Sequence, residues 1–148
     1  METNKSDRQD WMGLLARAPE GLAASLYDNA KTRPDTTHLR PPEIGSVMVR
    51  GRAGGTGAPF NLGEMTVTRC SLRLGCGAVG HGYVQGRRKA DAETAALIDA
   101  LMQTDAAPEV RASVLEPLRD AEADQRKARA AKAAATKVEF FTMARGED

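Results

Sequence analysis

Between Val49 and Arg88 the chain sets glycine beside arginine more densely than anywhere else in its length. The run V-R-G-R-A-G-G-T-G-A-P-F leads into a β-like segment, a glycine-punctuated turn, a second β-like segment and V-Q-G-R-R-K. That order favours a small antiparallel sheet. Met65 to Leu74 alternates Cys70, Leu72 and Leu74 with Arg69, Ser71 and Arg73, the period of a strand with one face packed and the other charged. Gly75-Cys76-Gly77 supplies a turn and Ala78 to Gln85 the returning strand. Ile44 to Arg50 reads as a further strand, with Val47 and Val49 on one face and Met48 and Arg50 on the other. In the loop between, Gly54, Gly55 and Gly57 free the backbone around Thr56 to aim several N–H groups at one spot. Arg50, Arg52, Arg69, Arg73, Arg87 and Arg88 are expected to bring positive charge to the same neighbourhood. The loop, with Arg69 and Arg87, is therefore a candidate contact for an anion or for the acidic rim of a partner.

Helices flank this sheet. Ser6 followed by Gln9 forms a capping-box pattern, and Trp11, Met12, Leu14 and Leu15 give a stripe at helical spacing. Pro19 suits the first turn of a second helix that turns Leu22, Leu26 and Tyr27 inward. From Lys31 to Glu43 the prolines Pro34, Pro41 and Pro42 exclude a helix and predict an extended connector holding a loop histidine, His38. Lys89 to Gln103 is the clearest helix, with Ala92, Ala96, Leu97 and Leu101 on an apolar face small enough to lie close to the sheet. Pro108 opens another helical stretch through Val110, Val114, Leu115 and Leu118, with Pro117 marking a break or kink.

Beyond Leu118 large apolar residues vanish until Val138, yet D-A-E-A-D-Q-R-K-A-R-A-A-K-A-A-A-T-K is a strong helix former. Its acids come first and its bases last, which complements the helix dipole, and Glu122 with Arg126 is a favourable i,i+4 pair. This reads as a solvated helix or an arm that docks on a partner. The tail V-E-F-F-T-M-A-R-G carries Phe140, Phe141 and Met143. Burying a phenylalanine contributes roughly 1.5–3 kcal/mol, so the tail is expected to add a strand to the sheet or to bind a neighbouring subunit. Trp11, Leu115 and Leu118, placed near the margins of a small core, join the tail as interface candidates.

The 148 residues suffice for one domain, with a core at roughly 6–105 and an arm and tail at roughly 108–148. Aromatics are 4% of the chain, which predicts a thin aliphatic core whose apolar surface is partly completed by another subunit. The formal net charge of +1 provides no global field towards nucleic acid or membrane. Cys70, Cys76, His38 and His81 match no zinc or iron–sulfur spacing, and a Cys70–Cys76 bridge has no framework around it. The start M-E-T-N-K-S-D has no apolar leader region, and no apolar run approaches ~18 residues. A cytoplasmic protein with reduced thiols is expected.

Residues 75 to 80, G-C-G-A-V-G, match G-x-G-x-x-G in form, but they run on into a strand where a dinucleotide site needs a helix. G-R-A-G-G-T-G-A lacks the Gly-Lys-Ser/Thr ending of a phosphate loop. No Ser/His/Asp order, H-E-x-x-H or C-x-x-C stands out, and the basic run from Arg126 to Lys137 has no interleaved aromatics. No catalytic or metal-ligating residue is expected in this chain. An independent hydrolase is thereby disfavoured; a free-standing nucleotide- or RNA-binding module using the Gly/Arg loop remains as the alternative to an assembly subunit.

R-Q-D-W-M-G-L-L-A at the start, R-A-G-G-T-G-A-P-F-N-L-G-E-M-T-V-T-R in the middle, V-Q-G-R-R-K-A-D-A-E-T-A-A-L-I-D-A-L-M-Q after it and V-E-F-F-T-M-A-R-G at the end resemble, in that order, the PhnG family. This is the G subunit of the bacterial carbon–phosphorus lyase core complex. The resemblance implies a cytoplasmic role in phosphonate breakdown. It implies work with the H, I and L subunits in displacing adenine from ATP by a phosphonate, to give a ribose 1-phosphonate 5-triphosphate. It implies that the I subunit is the nucleosidase-like catalyst and that an iron–sulfur cluster in the J subunit breaks the C–P bond. Partners are then chiefly the I subunit, with H, J, K and L, in a two-fold symmetric core of G, H, I and J. No cofactor belongs to this chain, ATP being a substrate of the complex. The fold expected is α+β: a small, mainly antiparallel sheet packed by N-terminal and central helices, with a long C-terminal helical arm and an apolar tail.

Overall fold

The computed structural model describes residues 5–28 and 33–138. Phe140, Phe141 and Met143, and with them the expectation for the tail, lie outside the described residues. The elements are α1 (Lys5–Arg17), α2 (Leu22–Asp28), β1 (Thr36–Arg52), β2 (Pro59–Leu74), β3 (Val79–Gln85), α3 (Lys89–Leu101), α4 (Ala107–Val110) and α5 (Glu116–Ala135). The class is α+β, and the sheet is an antiparallel meander in the order β1-β2-β3. Pro19 falls in the turn ahead of α2, where its carbonyl accepts from Leu22 N–H at 3.2 Å.

The strands are longer than the alternation alone predicts. The stretch expected as a connector is the first half of β1 from Thr36 onward. Its prolines do not stop it because β1 is an edge strand, and an edge strand needs no donor on its open side. The register slips between His38 and Arg40 and again between Arg40 and Glu43, so Pro41 and Pro42 sit in a bulge rather than in a regular ladder. At the other end β1 runs on to Arg52 and β2 resumes at Pro59, leaving a short turn around Ala53–Gly55. β3 covers β2 only from Val67 to Arg73, whereas β1 pairs with β2 as far as Arg52 opposite Pro59. The sheet is thus three-stranded in the body and continues as a two-stranded ribbon from Val67 to Pro59, about 27 Å at about 3.4 Å per residue.

One core holds the body together. Cys70, Leu72, Leu74 and Val84 face α3, as the alternation predicts. The helix lies close because β3 has no side chain where they meet. A Cβ on Gly82 would collide with the Ala92 carbonyl and the Ala96 amide, and one on Gly80 with the Ala96 carbonyl and Ala100. Alanines at 92, 96 and 100, one helical turn apart, complete the fit. The second layer is built from α1, α2 and the α4–α5 segment, which bring Trp11, Leu14, Tyr27, Val114, Leu115 and Leu118 into the same cluster.

Three expectations are corrected here. Trp11, Leu115 and Leu118 are each 1% exposed, packed inside their own chain and unavailable to a partner. The segment from Pro108 to Leu118 therefore belongs to the body rather than the arm. Pro117 does not interrupt the helix at its own position; the irregularity expected of it falls in the turn just before it. A π turn at Arg111–Leu115 joins α4 to α5 with helical backbone angles at its flanks, and Pro117 sits in the first turn of α5. The widened turn upstream accommodates a ring that has no N–H to donate. Past Glu122 every described residue of α5 is exposed, so the arm projects from the body from about Ala123. Its base is tied to α1 by Arg17 Nε donating to Glu122 Oε1 at 2.8 Å, which holds the Glu122 carboxyl below the ordinary range. That contribution is present at neutral pH and is lost on acidification as Glu122 takes up a proton.

Candidate functional site: the ribbon and the outer sheet face

The arginines do not converge. Arg50 and Arg52 lie at the ribbon tip, Arg69 and Arg73 on the sheet body, and Arg87 and Arg88 at the turn from β3 to α3. Arg88 is a structural clamp: its guanidinium reaches the carbonyls of Gln85 and Ala18 at 2.9 Å and Asp91 Oδ2 at 3.1 Å. Arg69 Nε donates to Glu43 Oε1 at 2.6 Å. Arg50, Arg73 and Arg87 are exposed and have no hydrogen bond or ion pair among the described residues.

The glycine-rich tip is only partly free to receive an anion. Gly54 and Gly55 take φ of 61° and 78°, the left-handed region that favours glycine. The Thr56 and Gly57 amides both turn inward onto the Ala53 carbonyl, the latter at 2.9 Å. A Cβ on Gly57 would stand 2.8 Å from that oxygen, so glycine is required there for the turn itself. Arg52 Nη1 donates to the Gly57 carbonyl at 3.1 Å. Among the described residues, Arg50 is the cationic head left unengaged at the tip.

The residue that sequence reasoning missed is Asp99. It sits in the last turn of α3 at 0% exposure and accepts four hydrogen bonds from described residues. Arg8 supplies Nε at 3.1 Å and Nη2 at 2.7 Å, Trp11 its indole N–H at 2.9 Å, and His81 its backbone N–H at 2.8 Å. The last bond closes the outer edge of β3 at His81. Gln103 Nε2 donates to the Val79 carbonyl at 2.7 Å and closes it again nearby. His81 Nδ1 lies 2.8 Å from Ser71 Oγ across the sheet. In this serine–histidine pair Asp99 engages the histidine's backbone rather than its ring, so the three groups are not wired as a catalytic triad.

Cys70 and Cys76 are both free thiols, one buried and one exposed. Burial, with the Glu93 carboxylate as the lesser influence, pushes the Cys70 thiol from 9.0 up to about 11. A thiol reagent at mildly alkaline pH is therefore expected to modify Cys76 rapidly and Cys70 only after unfolding; two equally fast thiols would contradict this packing. Because the folded value lies above the ordinary one, Cys70's contribution to stability is intact below about pH 9.0 and is lost as pH climbs through about 11.

A small, solvent-open depression is lined by Arg33, Thr36, Leu72 and Glu93 among others. Among the described residues no three His, Cys, Asp or Glu side chains are grouped to hold a metal, and no helix is long and apolar enough to cross a membrane. What the described surface does display is the ribbon. Val47, Met48, Phe60, Leu62 and Met65 are exposed there, Leu62 at 66%.

Fold and surface together define a small α+β protein with a sealed core, an extended β-ribbon and a helical arm. Residues 6–146 match the family described as phosphonate metabolism protein PhnG, and the chain belongs to that family. A relative from Rhizobium meliloti (strain 1021), named alpha-D-ribose 1-methylphosphonate 5-triphosphate synthase subunit PhnG, is 49% identical over 150 residues, covering 97% of this chain and 92% of that protein.

Proposed function

We propose that the chain is a non-catalytic subunit of an alpha-D-ribose 1-methylphosphonate 5-triphosphate synthase, acting in phosphonate breakdown in the cytoplasm. The observation that carries this is the 49% identity, across 97% of the chain, to a protein named as that subunit. Its partners in this reading are the I subunit above all, with H and L in ribosyl transfer and J and K in the wider carbon–phosphorus lyase. Displacement of adenine from ATP by the phosphonate takes place on another subunit, and the iron–sulfur cluster also resides elsewhere. The chain itself holds no cofactor. At the ribbon tip Arg50 and Arg52 meet the acidic rim of a partner or the phosphates of the nucleotide.

Reconstitution tests the reading. Leaving this chain out of the purified set is expected to reduce consumption of ATP with methylphosphonate to background, and the chain alone is expected to consume neither. Full turnover without it would refute the proposal. For the tip, Arg50→Ala with Arg52→Ala is expected to weaken assembly or ribosyl transfer by about tenfold, the effect of about 1.4 kcal/mol. If both stay unchanged, the tip has no such role.

A further inference from the structure

Among the described residues, the helices leave the outer face of the sheet uncovered. The described helices contact the opposite face through α3 and flank β3 through α1. The strand registers set out what the open face carries. Arg73 stands beside Val79, Arg40 beside Ser71 and His81, and Glu43 beside Arg69 and Tyr83. Further along, Val47 stands opposite Met65, Val49 opposite Gly63, and Gly51 opposite Phe60. Leu62 is the extra residue where the register slips, and a Cβ on Gly51 would sit 3.9 Å from both Leu62 and the Phe60 ring. This face, about 40 Å long at about 3.4 Å per residue, is cationic at the body and apolar along the ribbon, with Val67, only 6% exposed, between the two parts.

The cationic end is not neutralised. Two guanidinium groups share one carboxylate, Arg69 at 2.6 Å and Arg40 at 3.5 Å from Glu43 Oε1, and a third, Arg73, has no partner among the described residues. The other sheet edge cannot serve instead, because Asp99 and Gln103 occupy the polar groups of β3 at His81 and Val79.

We propose that this outer face seats a partner subunit whose surface sets carboxylates against Arg40, Arg69 and Arg73 and an aliphatic strip against Val47, Phe60 and Met65. The proposal rests on the reading that the chain works within an assembly. A small polyphosphate fits the arginines but gains nothing from the ribbon. A second copy of this chain fits poorly in either orientation. Laid parallel it opposes arginine with arginine; laid antiparallel it buries arginine against apolar side chains, which strips charge of water without pairing it. An acidic and aliphatic partner satisfies both ends of the face, and opposite charge speeds the encounter and fixes register.

Two double variants test this with the chain co-expressed with the other synthase subunits. Arg40→Glu with Arg73→Glu reverses the charged end, and Val47→Lys with Met65→Lys makes the ribbon polar. All four positions lie on the open face, so thermal unfolding of each isolated variant is expected to stay close to that of the unaltered chain. Each variant is expected to bind the other subunits at least about tenfold more weakly at low salt. Binding by the unaltered chain weakens as salt is added, and the charge-reversed variant loses that salt dependence. Normal assembly of either variant overturns the proposal. So does loss of ATP or triphosphate binding, or of a homodimer, while assembly persists. Failure of the unaltered chain to assemble refutes the functional reading instead, so the two failures are told apart.

Discussion

Asp99→Ala is expected to destabilise the chain by about 3–5 kcal/mol, the usual cost of stranding one side of a buried charge pair. The residue is 0% exposed and is the common acceptor for Arg8, Trp11 and His81. Removing it leaves an indole N–H and a strand amide buried without a partner, each costing about 1–3 kcal/mol. Arg8 suffers less, because its side chain is 32% exposed and turns to water. The midpoint of thermal unfolding should fall by roughly 10 °C or more for a chain of this size. Asp99→Asn keeps an acceptor oxygen and should lose less. A loss below about 1 kcal/mol for alanine in denaturant titration would mean that water replaces the carboxylate, and that Asp99 is not what locks α1 and α3 to the edge of β3.

Gly82→Ala is expected to cost about 3 kcal/mol, at the upper end of what an added methylene does to a filled core. A Cβ there meets the backbone of Ala92 and Ala96 rather than a movable side-chain tip. The helix has to lift off the strand, and the contacts of Leu72, Val84 and Ile98 loosen with it. Gly80→Ala meets Ala96 and Ala100 in the same way and should behave alike. Gly63→Ala is the control: nothing stands within 4 Å of its Cβ, so equilibrium unfolding should show no loss there and a gain of up to about 1 kcal/mol. Equal stability for the alanine variants at 63, 80 and 82 would contradict a helix seated directly on the glycine strand.

These glycines show why part of the fold was legible in the sequence and part was not. G-C-G-A-V-G catches the eye as a nucleotide pattern and is set aside for want of a following helix. Its meaning lies in two facts read together, the glycines at 80 and 82 and alanines one turn apart at 92, 96 and 100. The alternation from Cys70 to Leu74 is plain, because one face is packed and the other charged. The ribbon is hidden because glycine and proline are turn signals in isolation, while an edge strand tolerates both. Asp99 left one faint sign, an acid between Ile98 and Ala100 on a helix buried nearly all round. Trp11, Leu115 and Leu118 mark the opposite limit: an apolar stripe reports that a residue is covered, not by whom. For the candidate site, the arginine-bearing face of β2 was visible in the spacing of Arg69, Ser71 and Arg73. The scatter of the six arginines over tip, body and turn was not, since it depends on how far the ribbon extends.

Native mass measurement of the chain purified alone, and again after co-expression with the other synthase subunits, bears most directly on its role as an assembly subunit. The account predicts a higher-order complex containing this chain in the second case, and no conversion of ATP and methylphosphonate by the chain on its own. A chain that stays alone among its expected partners, or that carries out the conversion unaided, would contradict it.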